Sequence, residues 1–211
     1  IINKGLTEER ILEATKNAFE SGWSTIKLYF ILGLPYEELE DAAGIGELAE
    51  KMAAVYYDIH KDKRAKGLKI NVSTSILVPK PFTPFQWAPM ARPEEVWQKI
   101  DAVKGAIKTR AIHYNYHEQK TSFMEAVFAR GDRRTCELLI KAFEKGAKFD
   151  GWSEYFDYEL WTEAMKECNI DEEFYVYRDR SYDEILPWDF IDIGVNRRYL
   201  EVENEKAKKA E

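Results

Sequence analysis

Two histidines and a cysteine are candidate metal ligands in this sequence. His113 and His117 are four residues apart, so on a helix they would share one face, which is a spacing that metal sites use. Cys136 is a conceivable third ligand. Two surface histidines at the end of a helix explain the same spacing, and we predict no metal site from it.

Charged side chains form two further groups. The basic group surrounds Asp132, the predicted N-cap of a helix, and could bind an anion there; it comprises Arg130, Arg133 and Arg134. The acidic group could transfer protons; it comprises Asp150, Glu154 and Asp157. An ordinary capped helix turn and a solvated acidic face are the respective alternatives, and neither needs a ligand.

Aromatic side chains are concentrated in one stretch of the second half of the chain. They could stack on a flat ligand such as a base or a corrin, or dock a protein partner. The aromatic cluster comprises Trp152, Tyr155, Phe156, Tyr158 and Trp161. Aromatic residues in such a stretch also form ordinary hydrophobic cores, so both interpretations stay open.

The first predicted strand is a hydrophobic stretch at 26–34. Lys27 is its only charged residue, which indicates a strand covered on both faces, as in a parallel sheet flanked by helices. Near its end, Gly33 has no Cβ, so a ligand or another backbone can come close. Because ligands of strand–helix barrels bind where strands end, the sequence predicts a cofactor edge here.

A second predicted strand, at 69–78, alternates in polarity. Its apolar face includes Ile70, while Asn71, Ser73 and Ser75 form the other face. In a parallel barrel this polar face would point inward, where a polar ligand or water would complete its hydrogen bonds. An edge strand with one solvated face is the alternative.

The segment at 78–89 is rich in proline. Prolines at 79, 81, 84 and 89 exclude a helix and predict a stiff, extended path. At the carboxyl end of a strand this segment could form the wall of a pocket, with Lys80 as a substrate contact. A packed linker with Lys80 in solvent is the alternative.

Helices are predicted around both strands and through the rest of the chain. They lie between Thr7 and Gly22 and at 38–60, 93–110, 121–129, 133–145, 158–168, 171–175 and 201–211. The order of elements predicts an α/β fold. Because strands are confined to the first half, we predict two domains, 1–113 and 114–211.

Composition limits the classes of function. Hydrophobic residues make up 45% of the 211, enough for a packed core, and the net charge of −7 argues against general nucleic-acid binding. Cys136 and Cys168 give no disulfide framework, and two free thiols are typical of a cytoplasmic protein. No apolar run is long enough to span a membrane.

The chain starts without methionine directly before a helix, so we interpret it as a fragment.

Three segments together resemble radical SAM enzymes: Asn3–Gly5, Gly33–Glu37 and Val78–Trp87. The likeness is greatest to a largely uncharacterised bacterial group that carries a cobalamin-binding-like domain before the radical SAM barrel. Further segments at 128–134, 148–154 and 186–189 look like the same group. The resemblance implies the C-terminal portion of a partial (β/α)6 TIM-like barrel, with its last two strands, followed by a mainly helical subdomain.

The resemblance also implies which residues would bind S-adenosylmethionine. Ile31 would press on the adenine, and Gly33 would let the nucleoside approach. The turn after them comprises Leu34, Pro35 and Glu37, of which Glu37 would orient the turn. Residues from elsewhere would cover the other side of the adenine (Val78 and Pro79) and contact the ribose and carboxylate (Asn3 and Lys4).

The substrate side of the implied site comprises Ser73, Ser75 and Lys80. The substrate itself is unknown and could be a small molecule, an RNA or a peptide, and a cobalamin-linked methyl or methylthio transfer belongs to the same implication. The upstream half of the barrel would be the main partner of this chain. A lone fragment is expected to self-associate, because a broken barrel exposes strand edges.

The sequence departs from the family at two places. A [4Fe–4S] cluster needs three closely spaced thiolates, and the chain has only Cys136 and Cys168, so the cluster ligands would lie upstream and the isolated chain would be inactive. Tyr29 stands where the family often has glycine. The alternative function is a non-catalytic helical module that docks a partner through the aromatic cluster.

Overall fold

The computed structural model describes residues 5–209 and divides them into two compact units. The first unit comprises residues 5–77 and 92–117, and the second comprises residues 78–91 and 118–209. The proline-rich segment therefore belongs to the same unit as the later helices, although it lies between two elements of the first unit in sequence.

Three parallel strands form the sheet of the first unit in the described residues. They are β1 (Thr25–Leu32), β2 (Lys69–Ile76) and β3 (Ile112–Tyr116), in the spatial order β1–β2–β3. The register places Thr25 beside Lys69 and Ile70 beside Ile112. The predicted α/β class and the predicted parallel pairing of the first two strands are therefore confirmed.

Three helices complete the first unit: α1 (Glu8–Glu20), α2 (Leu39–Asp58) and α3 (Pro93–Ala106). α1 begins as predicted, because the Thr7 hydroxyl oxygen accepts a hydrogen bond from the Arg10 N–H. Pro93 starts α3, where its missing N–H costs no helical hydrogen bond. α3 ends at Ala106, four residues before the predicted end at Arg110.

α2 and α3 pack closely at Gly46. A Cβ added there would lie 2.7 Å from the Ala106 Cβ and 2.8 Å from the Val103 carbonyl oxygen, closer than real Cβ contacts. Gly44, two residues earlier in the same helix, faces open space. Gly46 therefore permits a backbone approach between the two helices that a larger residue would prevent.

Within the described residues of the first unit, the helices cover only one face of the sheet. Ile26 of β1 packs with Tyr56 of α2, and Ile70 of β2 is fully buried. On the opposite face, Lys27 is exposed and Tyr29 is 75% exposed. The expectation that the first strand is covered on both faces is therefore wrong for the described residues, because its covered side chains alternate with uncovered ones.

β3 is an element that the sequence analysis does not predict, since it expects only helices beyond residue 110. Hydrogen bonds to β2 define the strand: the Ile70 N–H donates to the Ala111 carbonyl at 2.9 Å, and the His117 N–H donates to the Thr74 carbonyl at 3.0 Å. Hydrogen bonding to β2 stabilises this strand, although the local sequence only weakly favours a strand. The described residues therefore contain three parallel strands, whereas the resemblance implies two.

Four helices dominate the second unit: α4 (Gln119–Ala129), α5 (Thr135–Glu144), α6 (Tyr158–Glu167) and α7 (Arg197–Lys208). All four were predicted with boundaries that differ by a few residues at most ends. A wide helical turn lies at Glu173–Tyr177, and a 3₁₀ turn lies at Pro84–Trp87. The predicted absence of helix in the proline segment is wrong at that turn, because Pro84 stands at its start, where no N–H is needed.

Large side chains form a core in the second unit: Trp87, Leu186, Trp188 and Leu200. Trp87 comes from the proline-rich segment, so this segment is anchored to the helical part and is not an independent linker. Over residues 5–209, no helix is both long and apolar enough to cross a membrane.

Candidate functional site

The turn after β1 is held by a carboxylate. Gly33 has a φ of 77°, a left-handed backbone conformation that favours glycine. The Glu37 Oε2 accepts a hydrogen bond from the Gly33 N–H at 2.7 Å, and the Glu37 N–H donates to the Leu34 carbonyl at 3.2 Å. Glu37 thus fixes the backbone at the carboxyl end of β1, which is where the sequence predicts a cofactor edge.

A buried lysine neutralises that carboxylate. The Lys99 ammonium of α3 lies 2.8 Å from the Glu37 Oε2 and donates to the Glu37 carbonyl at 2.9 Å. The Glu37 side chain is 5% exposed and that of Lys99 is 11% exposed. This pair therefore connects α3 to the turn, and both charges have a partner in a place that water hardly reaches.

The sequence analysis does not single out Lys99, although a signal for it exists. Lys99 lies on the same side of α3 as Val96, Ile100 and Val103, which are buried. A lysine within an apolar helical stripe indicates a buried acidic partner, because a buried charge is seldom left unpaired.

The uncovered side of the sheet, here called the open face, carries polar side chains from all three strands. Register pairs them in rows, in which Lys27 lies beside Asn71 and His113, Tyr29 beside Ser73 and Asn115, and Ile31 beside Ser75. A shallow groove of about 310 Å³ lies on this face, between Tyr29, Lys69 and Asn115. Ser73 and Ser75 of β2 are thus brought onto one surface with Ile31 of β1, the strand that leads into the Gly33 turn.

The open face is cationic. None of its described residues is acidic, whereas Lys27 and Lys69 lie on it without an ion pair to any described residue. The two lysines are diagonal neighbours on adjacent strands, since Thr25 pairs with Lys69. In a chain with a net charge of −7, this face can attract an anion and hydrogen-bond it through hydroxyl and amide groups.

Other residues implied by the resemblance lie elsewhere. Val78 and Pro79 are buried residues of the second unit. Lys80 of that unit forms an ion pair with Glu125 of α4, so its charge is already compensated. Asn3 and Lys4 lie outside the described residues.

The histidine pair is on a strand and not on a helix. His113 lies in β3, and His117 follows it directly. Both histidines and Cys136 are exposed. No group of three or more His, Cys, Asp or Glu side chains in residues 5–209 could hold a metal ion. Cys136 and Cys168 are too few for a [4Fe–4S] cluster, so these residues do not fit that cofactor.

The residues of the predicted basic group have different structural roles. Arg130 is fully buried and donates to the carbonyls of Tyr175, Ala88 and Arg178, so it joins three segments of the second unit. Asp132 is not a helix N-cap, since α5 begins at Thr135 after Arg134. Asp132 instead accepts hydrogen bonds from the backbone and the guanidinium of Arg134.

The members of the predicted aromatic group differ in burial, and one member of the acidic group caps a helix. Trp161 is buried and packs edge-on against Phe128, whereas Trp152 is 64% exposed. Asp157 caps α6 by accepting a hydrogen bond from the Leu160 N–H at 3.0 Å, so its carboxylate has a structural role.

Comparisons with known proteins give one likeness of low identity. No family model matches the chain, and no solved structure matches it. A Methanocaldococcus jannaschii protein described as uncharacterized is 28% identical over 138 residues, which are 65% of this chain and 28% of that protein. The aligned region thus spans little more than a quarter of that relative's length.

Proposed function

We propose that this chain is part of a radical SAM enzyme and supplies the last strands of a partial (β/α)6 barrel. One observation carries the proposal: three consecutive parallel strands lie in sequential order with helices on one face and a polar opposite face. A doubly wound sheet has helices on both faces, whereas a barrel has them only outside. The polar face is then the inside of the barrel.

The proposed role of the Gly33 turn is to receive the nucleoside of S-adenosylmethionine. Ile31 lies on the open face two residues before Gly33, so an apolar surface and a compact turn adjoin each other. The Glu37–Lys99 pair holds the turn before any ligand arrives, which lowers the entropic cost of binding. Leu34 and Pro35 belong to the same turn.

The open face is proposed to contact the substrate through Ser73 and Ser75. Bound S-adenosylmethionine and a reduced cluster would supply hydrogen abstraction from that substrate. The described residues supply no cluster ligand, so the proposal assigns the three cysteines to a part of the protein outside this chain. The contribution of this chain is binding, orientation and exclusion of water around the reacting atoms.

The test is binding of S-adenosylhomocysteine to the intact protein that contains these 211 residues, measured by equilibrium dialysis. Gly33→Ala places a Cβ at the proposed nucleoside contact, and we expect it to weaken binding on the order of tenfold. Gly67→Ala is the matched control, because Gly67 also has a positive φ, of 83°, and faces open space in a loop before β2.

Absence of binding by the intact protein would overturn the proposal, and so would equal affinity of the two variants.

The second candidate function is a non-catalytic docking module. Exposed rings of Phe149, Trp152 and Tyr155 favour it, because such side chains are enriched at protein interfaces.

A further inference from the structure

A second candidate site lies within the second unit, apart from the open face of the sheet. It is a groove of about 830 Å³, a size that suits a small molecule. Its walls come from three separate stretches of chain, at Pro81, at 128–134 and at 187–191. The apolar walls are formed mainly by Phe128, Trp188, Phe190 and Ile191.

The walls of this groove are firmly held. The Trp188 indole N–H donates to the Gln86 side-chain oxygen at 2.8 Å, and Trp188 belongs to the core of the unit. Within the 128–134 stretch, Arg130 does not line the groove, and its guanidinium donates hydrogen bonds to three backbone carbonyls. Phe190, in contrast, is 79% exposed, although it lines the groove. A large ring thus remains in solvent beside a rigid apolar wall, where a flat ligand would cover it.

The charges of the groove leave one cation without a partner. Asp132 is the acidic side chain in its lining, and Arg134 neutralises it at 2.6 Å. Hydrogen bonds from Arg134 and from the Tyr175 hydroxyl lower the pKa of Asp132 to about 2, so the carboxylate stays ionised and paired at neutral pH. Arg133 is also in the lining, and its guanidinium has no hydrogen bond or ion pair to any residue within 5–209, whereas its backbone carbonyl accepts from the Cys136 N–H at 3.1 Å.

A second cation strengthens the positive potential behind the wall. Arg180 is 5% exposed and lies 5.2 Å from the centre of the Trp188 ring. Its Nη2 donates to the Arg130 carbonyl at 2.7 Å, while its Nε and Nη1 are buried without a hydrogen-bond partner. No carboxylate forms an ion pair with this buried guanidinium among the described residues. The carboxylates of Glu184 and Asp132 act on it only through space, and burial still lowers the pKa of Arg180, so a further anion nearby is favoured.

We propose that this groove binds a small molecule with a flat apolar ring system and one anionic group. The rings lie between Trp188 and Phe190, and the anionic group pairs with the Arg133 guanidinium at the rim. Aromatic walls favour stacking with a flat body, and the single unpaired arginine favours one negative charge. The proposal is independent of the radical SAM assignment, because every residue that carries it belongs to the second unit.

The test uses naphthalene-2-sulfonate as the anionic probe and 2-naphthol as its uncharged counterpart at neutral pH. Binding is followed by NMR through the indole N–H signal of Trp188, which is assigned by its loss in Trp188→Phe. We expect the sulfonate to shift this signal and to bind about five- to tenfold more tightly than 2-naphthol, the range expected for one favourable charge pair in partial contact with water.

Arg133→Gln should remove this preference for the sulfonate and leave the binding of 2-naphthol unchanged. Arg110→Gln is the matched control, since Arg110 is an exposed arginine of the first unit and its replacement changes the net charge equally. Equal affinity of both probes for the unaltered protein would overturn the anionic part of the proposal. Failure of both probes to shift the Trp188 signal at millimolar concentration would overturn it entirely.

Discussion

At the scale of single residues, the buried pair of Glu37 and Lys99 is the feature on which the candidate site depends. Glu37 accepts from the Gly33 N–H and from the Lys99 ammonium, so one carboxylate fixes both the turn and α3. Buried pairs add little net stability over apolar groups, but loss of one partner leaves a charge in a poorly solvated place. We therefore expect the loss of either partner to destabilise the fold more than the intact pair stabilises it.

Replacement of Lys99 by methionine should reveal this dependence. We expect Lys99→Met to lower the free energy of unfolding by about 3–5 kcal/mol, because Glu37 is then buried without its counter-charge. The double variant Glu37→Gln/Lys99→Met should recover part of the loss, since the amide oxygen of glutamine can still accept from the Gly33 N–H. Urea unfolding followed by circular dichroism measures each change.

Lys51→Met is the control for that experiment. Lys51 pairs with Glu8 at 2.8 Å, but both side chains are about half exposed, so solvent screens their attraction. We expect little change in stability from this variant. A loss for Lys99→Met no greater than that for Lys51→Met would contradict the prediction.

At the scale of elements, the packing of α2 on α3 depends on one glycine and not on its neighbour. Gly44→Ala should stabilise the protein by about 0.5–1 kcal/mol, because alanine restricts the unfolded chain and favours a helix. Gly46→Ala should destabilise it by about 1–3 kcal/mol, because its Cβ would meet Ala106 and the Val103 carbonyl. Thermal unfolding of the two variants should shift in opposite directions, and shifts of equal sign would argue against the close helix contact.

The elements also show how much of the fold the sequence could reveal. β1 and β2 are predictable because long runs of β-branched and aromatic residues end at glycine or proline, and their parallel pairing follows from the helix between them. β3 is not, because Ile112–Tyr116 is short and two of its five residues are His and Asn. The spacing of His113 and His117 fits a helix and also one face of a strand, so only pairing with β2 decides between them.

The sequence indicates where the candidate site lies, but it does not indicate that Lys99 holds Glu37 in place. Gly33 and Glu37 stand out as a break after a hydrophobic run, and Ser73 and Ser75 stand out by alternation. Lys99 lies 62 residues from Glu37, and no local pattern joins two residues at that separation. The groove in the second unit likewise combines three distant stretches, so its shape follows from tertiary packing alone.

At the scale of the whole molecule, the sheet has two strands with unpaired edges in the described residues, β1 and β3. Exposed edges of this kind pair readily with other strands. We therefore expect the 211-residue chain to self-associate, with a sedimentation coefficient that rises with concentration. A chain that stays monomeric across a hundredfold range of concentration would contradict this prediction and favour the docking-module alternative.

The interleaved order of the two units has a consequence for synthesis on the ribosome. Residues 78–91 emerge early, but Trp188, the partner of Gln86, is 102 residues further along the chain. At about 5–20 residues per second, translation needs on the order of 5–20 s to deliver that partner. During this interval Trp87 lacks the later residues of its core, Leu186, Trp188 and Leu200, so its apolar surface stays exposed on the nascent chain.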